Sequence, residues 1–253
     1  MQRSNSVLTA VSCFDSHYPH IDAPTWAAVL DFLKRNRVGL FVFGGDNLDC
    51  GSISHHNKSK PLYKPQGQMR KDLDGFRRVM LDPVMALLPK GAVKVWLDGN
   101  HEDWARQLIE EQPELDGLLD FAEYLDLKEQ GWIVRGQGEH YKRGRLKWIH
   151  GDVLRGANPV KKALDTYVEN LQFGHFHTAA CATKILPHSS ANKWQAYSVP
   201  CIGKLDMQYL KKSPTGWLNG FAITEFFSNG MFNNFLVNVF RGRFAYGGKV
   251  YGQ

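Results

Sequence analysis

Short apolar runs in this chain repeatedly end in residues that bind cations. Val7–Cys13 gives way to FDSH, with Asp15 and His17. Val38–Phe43 gives way to GGDNLD, with Asp46 and Asp49, and Ala92–Leu97 to DGNHED, with Asn100 and His101. Further on, KWIHGD supplies His150 and QFGHFHT supplies His175 and His177. This pattern favours a fold that collects several strand ends at one edge, because in open α/β sheets ligand sites form at the carboxyl ends of the strands.

The segments between these runs agree. Pro24 opens TWAAVLDFLKRN, whose apolar residues recur at helical spacing, and proline in a first turn is a start signal. Met69–Leu88 reads as mostly helical with a break near Pro83, His101–Gln112 as a helix, and Leu115–Lys128 as another. Strand and helix alternating in this way predict a parallel α/β sheet. WIVRGQGEHYKRGRLKWIHGD then reads as strands turned at Arg143-Gly144-Arg145, and NPVKKALDTYVENL as one more helix. After Leu171 the runs AACATKIL, KWQAYSVP, GFAITEFF, NNFLVNVF and RFAYGG predict antiparallel strands. The expected architecture is α/β, a four-layer α/β/β/α sandwich of two mixed sheets flanked by helices, with residues 1–253 as a single domain.

Composition narrows the setting. At 43% apolar and 22% charged residues, the 253-residue chain can bury a sizeable core. Four scattered cysteines without a CxxC pair suit a reducing, cytoplasmic compartment. No run approaches the ~18 apolar residues of a membrane span, and the N-terminus lacks the apolar segment of a signal peptide. No membrane partner is expected. The net charge of +6 and pI near 9.1 favour encounter with phosphate-bearing partners, a nucleotide or nucleic acid among them.

Each strand-end fragment has an ordinary explanation when taken alone. A single histidine there is usually a satisfied structural group, and an aspartate in GGDN is an ordinary turn residue. Five such fragments together ask for a metal. Imidazole and carboxylate suit Mn, Fe, Zn, Co or Ni, and with no cysteine among the donors the site is not a thiolate zinc site. Alternation in His175-Phe176-His177 predicts both imidazoles on one face with Phe176 turned away, and Asp15-Ser16-His17 repeats the arrangement. Two ions ~3.5–4 Å apart need one shared carboxylate, and such pairs hold a phosphate for in-line displacement.

D-x-H, G-D-x-x-D, G-N-H-E, H-G and G-H-x-H, in that order over residues 15–177, resemble the calcineurin-like metallophosphoesterase superfamily, in particular its small stand-alone prokaryotic and phage members. The resemblance implies two divalent ions, Mn2+ foremost. Asp15, His17 and His177 would hold one and Asn100, His150 and His175 the other, with Asp46 bridging. It implies His101 as the general acid and Asp49 as its hydrogen-bonded partner, and hydrolysis of a phosphodiester or phosphomonoester by in-line attack of a metal-bridging hydroxide.

The chain departs from the protein Ser/Thr phosphatase branch, whose motifs carry two phosphate-binding arginines; Cys50 and Asp98 stand at those positions. Glu102 and Asp103 read as acidic residues favouring the N-terminus of the helix they open. Candidate substrate contacts are His56 (beside His55), Arg155 and the stretch 57–78, which carries seven basic and two acidic residues. The late aromatics, Trp194, Tyr197, Trp217 and Phe226 among them, read as sheet core, while Tyr209 near Lys211 and Lys212 is a candidate for stacking on a base. Alternatives within this frame are a DNA or RNA nuclease of the repair type, for which the chain has little room for a capping domain, and a catalytically silent scaffold of the same fold.

Overall fold

In the computed structural model, which describes residues 7–54, 68–185, 193–207 and 215–252, β1 (Leu8–Cys13), β2 (Leu40–Gly44), β3 (Val93–Leu97) and β4 (Trp132–Arg135) run parallel in that order. Parallel neighbours need long crossovers. Helix α1 (Ala23–Arg35) makes the first, α2 (Gln68–Phe76) and α3 (Asp82–Leu87) the second, and α4 (Asn100–Glu111) with the short α5 (Phe121–Tyr124) the third. The α1 start follows from its residues. The Asp22 carboxylate accepts from the Thr25 amide at 2.9 Å, Pro24 sits in the first turn, and Lys34 and Arg35 close the last.

The second half begins with the hairpin of β5 (Tyr141–Arg143) and β6 (Leu146–Trp148). Helix α6 (Pro159–Tyr167), β7 (Asn170–Phe173), β8 (Ala180–Ile185) and β9 (Lys193–Ser198) follow. Five of these strands form a sheet in the order β5-β6-β7-β9-β8. The chain then returns to the first sheet. β10 (Gly220–Phe226) pairs antiparallel with β1 and β11 (Phe232–Asn238) with β10, giving the order β11-β10-β1-β2-β3-β4. A separate hairpin, β12 (Phe244–Tyr246) and β13 (Lys249–Tyr251), follows.

Three apolar clusters define the layers. Val42, Val95 and Leu97 of the first sheet meet Leu146 and Trp148 of the second. On the outer face of the first sheet, Phe41, Phe43 and Trp96 pack with Trp26, Phe32, Phe76 and Met80 from the helical segments. On the outer face of the second, Val160, Ala163 and Leu164 of α6 cover Leu171, Phe173 and Ala196. The result is two mixed sheets face to face with helices outside. Strand β2 is buried at every residue, which is why it reads as a continuous apolar run without alternation.

Two local expectations are corrected. Leu115–Lys128 is not one helix: Asp120 caps a new helical turn by accepting from the Glu123 amide, and positive φ at Gly117 and Asp126 turns the chain on either side. The strands after Leu171 pair antiparallel as expected in β8–β9, β10–β11 and β12–β13, but β9 also pairs parallel with β7. Near Pro83 the expected break is a wide turn over Arg77–Leu81, where the Asp82 amide bonds back to the Arg77 carbonyl. No helix among the described residues is long and apolar enough to cross a membrane.

Candidate metal centre

The loops after β1 and β2 are joined by backbone hydrogen bonds. Asp15 N–H donates to Gly45 O, His17 N–H to Asp46 O and Tyr18 N–H to Asn47 O, all within 2.9–3.1 Å. From the second sheet, His150 follows β6 and His175 and His177 follow β7, and the Gly174 amide bonds to the His150 carbonyl at 2.8 Å. Five strand ends, three from one sheet and two from the other, therefore meet at one edge.

Three groups of possible ligands result among the described residues, Asp15 with His17 and His177, Asp46 with His150 and His175, and His17 with Asp49 and His101. The first two are the predicted triads. In the first, His177 Nε2 lies 3.5 Å from Asp15 Oδ1 and 3.2 Å from His17 Nε2. In the second, His150 Nε2 lies 3.2 Å from Asp46 Oδ2 and 3.3 Å from Asn100 Oδ1. Asp46 Oδ1 accepts the His101 amide at 2.9 Å, which turns Oδ2 inward. Oδ2 is also 4.0 Å from His17 Nε2 and 3.8 Å from His101 Nε2. All seven predicted ligand positions are thus brought together, with Asp46 between the triads.

The backbone is strained to achieve this. Among the described residues nine non-glycine positions have positive φ, and five of them are Asp15, His17, Asp46, His175 and His177. Each costs on the order of 1 kcal/mol or more, a cost that recurs at functional sites. It also corrects the expectation of strand alternation: the donors of D-x-H and H-F-H converge through left-handed turns. Phe176 does point away, onto Phe173. Glycines make room for the carboxylates. A Cβ on Gly99 would stand 2.1 Å from Asp46 Oδ1, and one on Gly174 2.5 Å from Asp15 Oδ2.

Electrostatically the centre is poised for cations. Burial works to raise the Asp46 carboxyl, yet His101, His150 and His17 outweigh it and hold it well below the usual range. Asp15 is lowered in the same way, by His177 and His150 acting against burial. Burial opposes charge on His150 too, but Asp46 and Asp15 carry it up to about 10. The donor set fits divalent ions. His17 Nε2 and His177 Nε2 face each other, while the Nδ1 of both rings is buried without a hydrogen-bond partner among the described residues. A cation between the two Nε2 atoms would take a lone pair from each ring, and without one a ring N–H of either can serve the other. Asp15, His17 and His177 would hold one ion, and Asn100, His150 and His175 another, with Asp46 shared.

Around the centre, His101 Nδ1 donates to the Asp49 backbone carbonyl at 2.7 Å, whereas the Asp49 carboxylate is 3.9 Å away. The predicted hydrogen-bonded pair is therefore made by the main chain of Asp49. Trp104 lies against the His101 ring at 4.0 Å between centroids, and Trp217 against His177 at 4.1 Å. Trp217 thus flanks the centre, while Tyr197 and Phe226 are sheet core as expected. Arg155 is exposed on the loop after His150 and is not brought to the centre by any contact among the described residues. His55, His56, most of the basic stretch, Tyr209, Lys211 and Lys212 lie outside the described residues. Within that stretch Arg77 is turned aside, paired with Asp126 at 2.9 Å.

Glu102 is the residue whose importance the sequence understated. Buried at 4% exposure, it accepts the amides of Asp46 (3.0 Å), Leu48 (2.9 Å) and Gly99 (2.8 Å). It therefore ties the loop after β2 to the start of α4. Burial, with Asp46 and Asp98 adding to it, pushes this carboxyl up to about 8, while three N–H donors favour the ionised form. The available signal was its place three residues after Gly99, the spacing of a capping box. Asp98 is structural: it accepts the Trp96 indole N–H at 2.7 Å. It also lines a cavity of about 660 Å³ on the flank of α4 with Asp103, Asp120 and Glu139.

No protein-family model matches the chain, and no curated relative matches it. Solved structures do. Vps29 of Entamoeba histolytica complexed with Zn2+ is 13% identical, with a TM-score of 0.41, over 91% of this chain and 99% of that one. Vps29 of Chaetomium thermophilum is 8% identical, with a TM-score of 0.43, over 90% and 96%. A predicted phosphoesterase of Streptococcus pneumoniae is 10% identical, with a TM-score of 0.37, over 98% and 99%. These are likenesses of outline. The chain resembles the calcineurin-like metallophosphoesterases in its motif order, and its two mixed sheets flanked by helices are the architecture that resemblance implied.

Proposed function

We propose that this chain is a metal-dependent phosphoesterase that hydrolyses phosphodiesters, with phosphomonoesters as further substrates. The observation that supports this most is the pairing of two donor triads about Asp46 with a histidine, His101, that lies beside them and belongs to neither. Bound divalent ions would supply Lewis acidity and a nucleophile drawn from water at neutral pH. The chain's own residues then orient and move a proton. The Asp49 carbonyl fixes the Nδ1–H tautomer of His101, so Nε2 is the nitrogen facing the centre. From there it protonates the departing oxygen. In the free protein burial holds the His101 imidazolium down. A phosphate beside Nε2 acts in the opposite direction and favours the charged, donating form.

The surplus of 31 Lys and Arg over 25 Asp and Glu supports a nucleotide or nucleic acid as the ester. Retention of all seven ligand positions speaks against the silent scaffold. The test is hydrolysis of a chromogenic diester and monoester with Mn2+, with and without chelator, followed by single-stranded and duplex DNA. Asp46→Ala should abolish turnover. His101→Ala should keep bound metal and lose most on alkyl leaving groups. An alkyl diester turned over normally by His101→Ala would exclude the acid role, and a metal-loaded wild type inert on every ester would favour the scaffold.

A further inference from the structure

Accounting for the ring N–H groups around Asp49 divides its main chain from its side chain. A neutral His101 has one ring N–H, on Nδ1, and the Asp49 carbonyl accepts it at 2.7 Å. The ring's remaining freedom is taken up by Trp104 on one side and by the edge of His17, at 4.6 Å and 72°, on another. Nothing is left for the Asp49 carboxylate to hold, and at 3.9 Å from Nδ1 it is beyond hydrogen-bond distance.

His17 presents the opposite case. Its Nε2 faces the first triad, and its Nδ1 is buried without a hydrogen-bond partner among the described residues. Asp49 Oδ1 lies 3.7 Å from that Nδ1, also outside direct hydrogen-bond distance. What separates the two rings is that the His101 N–H already has an acceptor and the His17 Nδ1 has none among the described residues. A histidine that ligates a metal through one nitrogen ordinarily donates its other N–H to a carboxylate or carbonyl, which fixes the ring and raises its basicity. The other oxygen of Asp49 faces His20 Nε2 at 3.8 Å. That imidazole is 45% exposed, and its backbone is pinned by hydrogen bonds from His20 N–H to His17 O and from Lys204 N–H to His20 O. The carboxylate thus stands between His20 at the rim and His17 toward the centre.

We propose that the Asp49 carboxylate is a positioning residue for the metal ligand His17, and that His101 is positioned without it, by the Asp49 carbonyl and the Trp104 indole. This assignment rests on the metal-centre reading above. It separates two effects that a carboxylate–His101 pair would merge, because a substitution at Asp49 removes the side chain and leaves the carbonyl in place.

The test is calorimetric titration of the chelator-stripped protein with Mn2+, comparing wild type, Asp49→Asn and Asp49→Ala, with circular dichroism to check folding. Loss of such a carboxylate typically weakens metal binding about 10- to 100-fold. One of two Mn2+ sites in Asp49→Ala should weaken by that much and the other should keep its affinity. Asp49→Asn, whose amide oxygen still accepts, should fall between, and it carries the test if Asp49→Ala does not fold. At saturating Mn2+ the rate ratio between aryl and alkyl diesters should match wild type. If both variants bind two ions as tightly as wild type while alkyl diesters are selectively slowed, the side chain serves His101 and the proposal is overturned. A wild type that binds no Mn2+ fails earlier, and overturns the metal centre itself.

Discussion

Removing Glu102 tests how the centre is held together before any metal is bound. Its carboxylate collects three amides from two segments, Asp46 and Leu48 after β2 and Gly99 ahead of α4, and every hydrogen bond it makes is one it accepts. An orphaned buried N–H costs about 1–3 kcal/mol. Glu102→Ala orphans three, and water entering the vacated space recovers part of the loss, so about 3–5 kcal/mol is expected. That is a large share of a typical stability of ~5–15 kcal/mol. Glu102→Gln distinguishes the charge from the shape. Its carboxamide oxygen can serve the Asp46 and Gly99 amides that now share Oε2, but its NH2 then meets the Leu48 N–H, donor against donor. One bond is lost and two lose charge assistance, for about 2–3 kcal/mol. Urea unfolding in chelator at pH 9, above the Glu102 value of about 8 so that the carboxylate is ionised, with the slope checked for constancy, measures both. If Glu102→Gln is as stable as wild type, the carboxyl is neutral and the ionised clamp is wrong. If Glu102→Ala costs under about 1 kcal/mol, the loops are held by something else.

Three further expectations follow from single contacts. Gly99→Ala drives a Cβ to 2.1 Å from Asp46 Oδ1 and 2.4 Å from its amide nitrogen; Mn2+ binding measured by calorimetry should weaken at least tenfold, and unaltered binding would show that the loop yields freely. Asp22→Ala removes the α1 cap, a bond to the Thr25 amide, so thermal or urea unfolding should register a loss of about 1 kcal/mol. Asp98 has its carboxyl raised by burial from 3.8 to about 6, so the folded state binds this proton more tightly than the unfolded chain. The associated stability is present below pH 4 and is lost as the pH climbs through 6. At pH 7 the ionised group costs at most about 3 kcal/mol. In chelator, Asp98→Asn should therefore be more stable than wild type at pH 7 and lose that advantage at pH 4, and a constant difference across that range would contradict it.

What the sequence revealed and what it concealed divide along physical lines. Strand ends were legible because β2 and β3 are apolar runs that stop at Gly44-Gly45 and Asp98-Gly99, and the donors simply follow. The conformation of those donors was not legible, because a strand pattern has no sign for φ. His175 and His177 look like alternation and are in fact two left-handed residues. The span 115–128 looked helical from its leucines, but a cap at Asp120 and positive φ at Gly117 and Asp126 overrode periodicity. Glu102 and Asp103 looked alike as first-turn acids. Only the fold distinguishes them, since Glu102 turns inward to three amides and Asp103 pairs with Arg106 on the surface. The link between Asp49 and His101 was expected through the side chain, and a main-chain carbonyl leaves no trace in residue identity.

The central claim is that Asp46 stands between two cation sites, one built from Asp15, His17 and His177 and the other from Asn100, His150 and His175. Anomalous diffraction from crystals grown with Mn2+ addresses it directly. Two peaks about 3.5–4 Å apart, on either side of Asp46 Oδ2, are the expected result. Density at neither triad, or a single ion bound away from Asp46, would contradict the account.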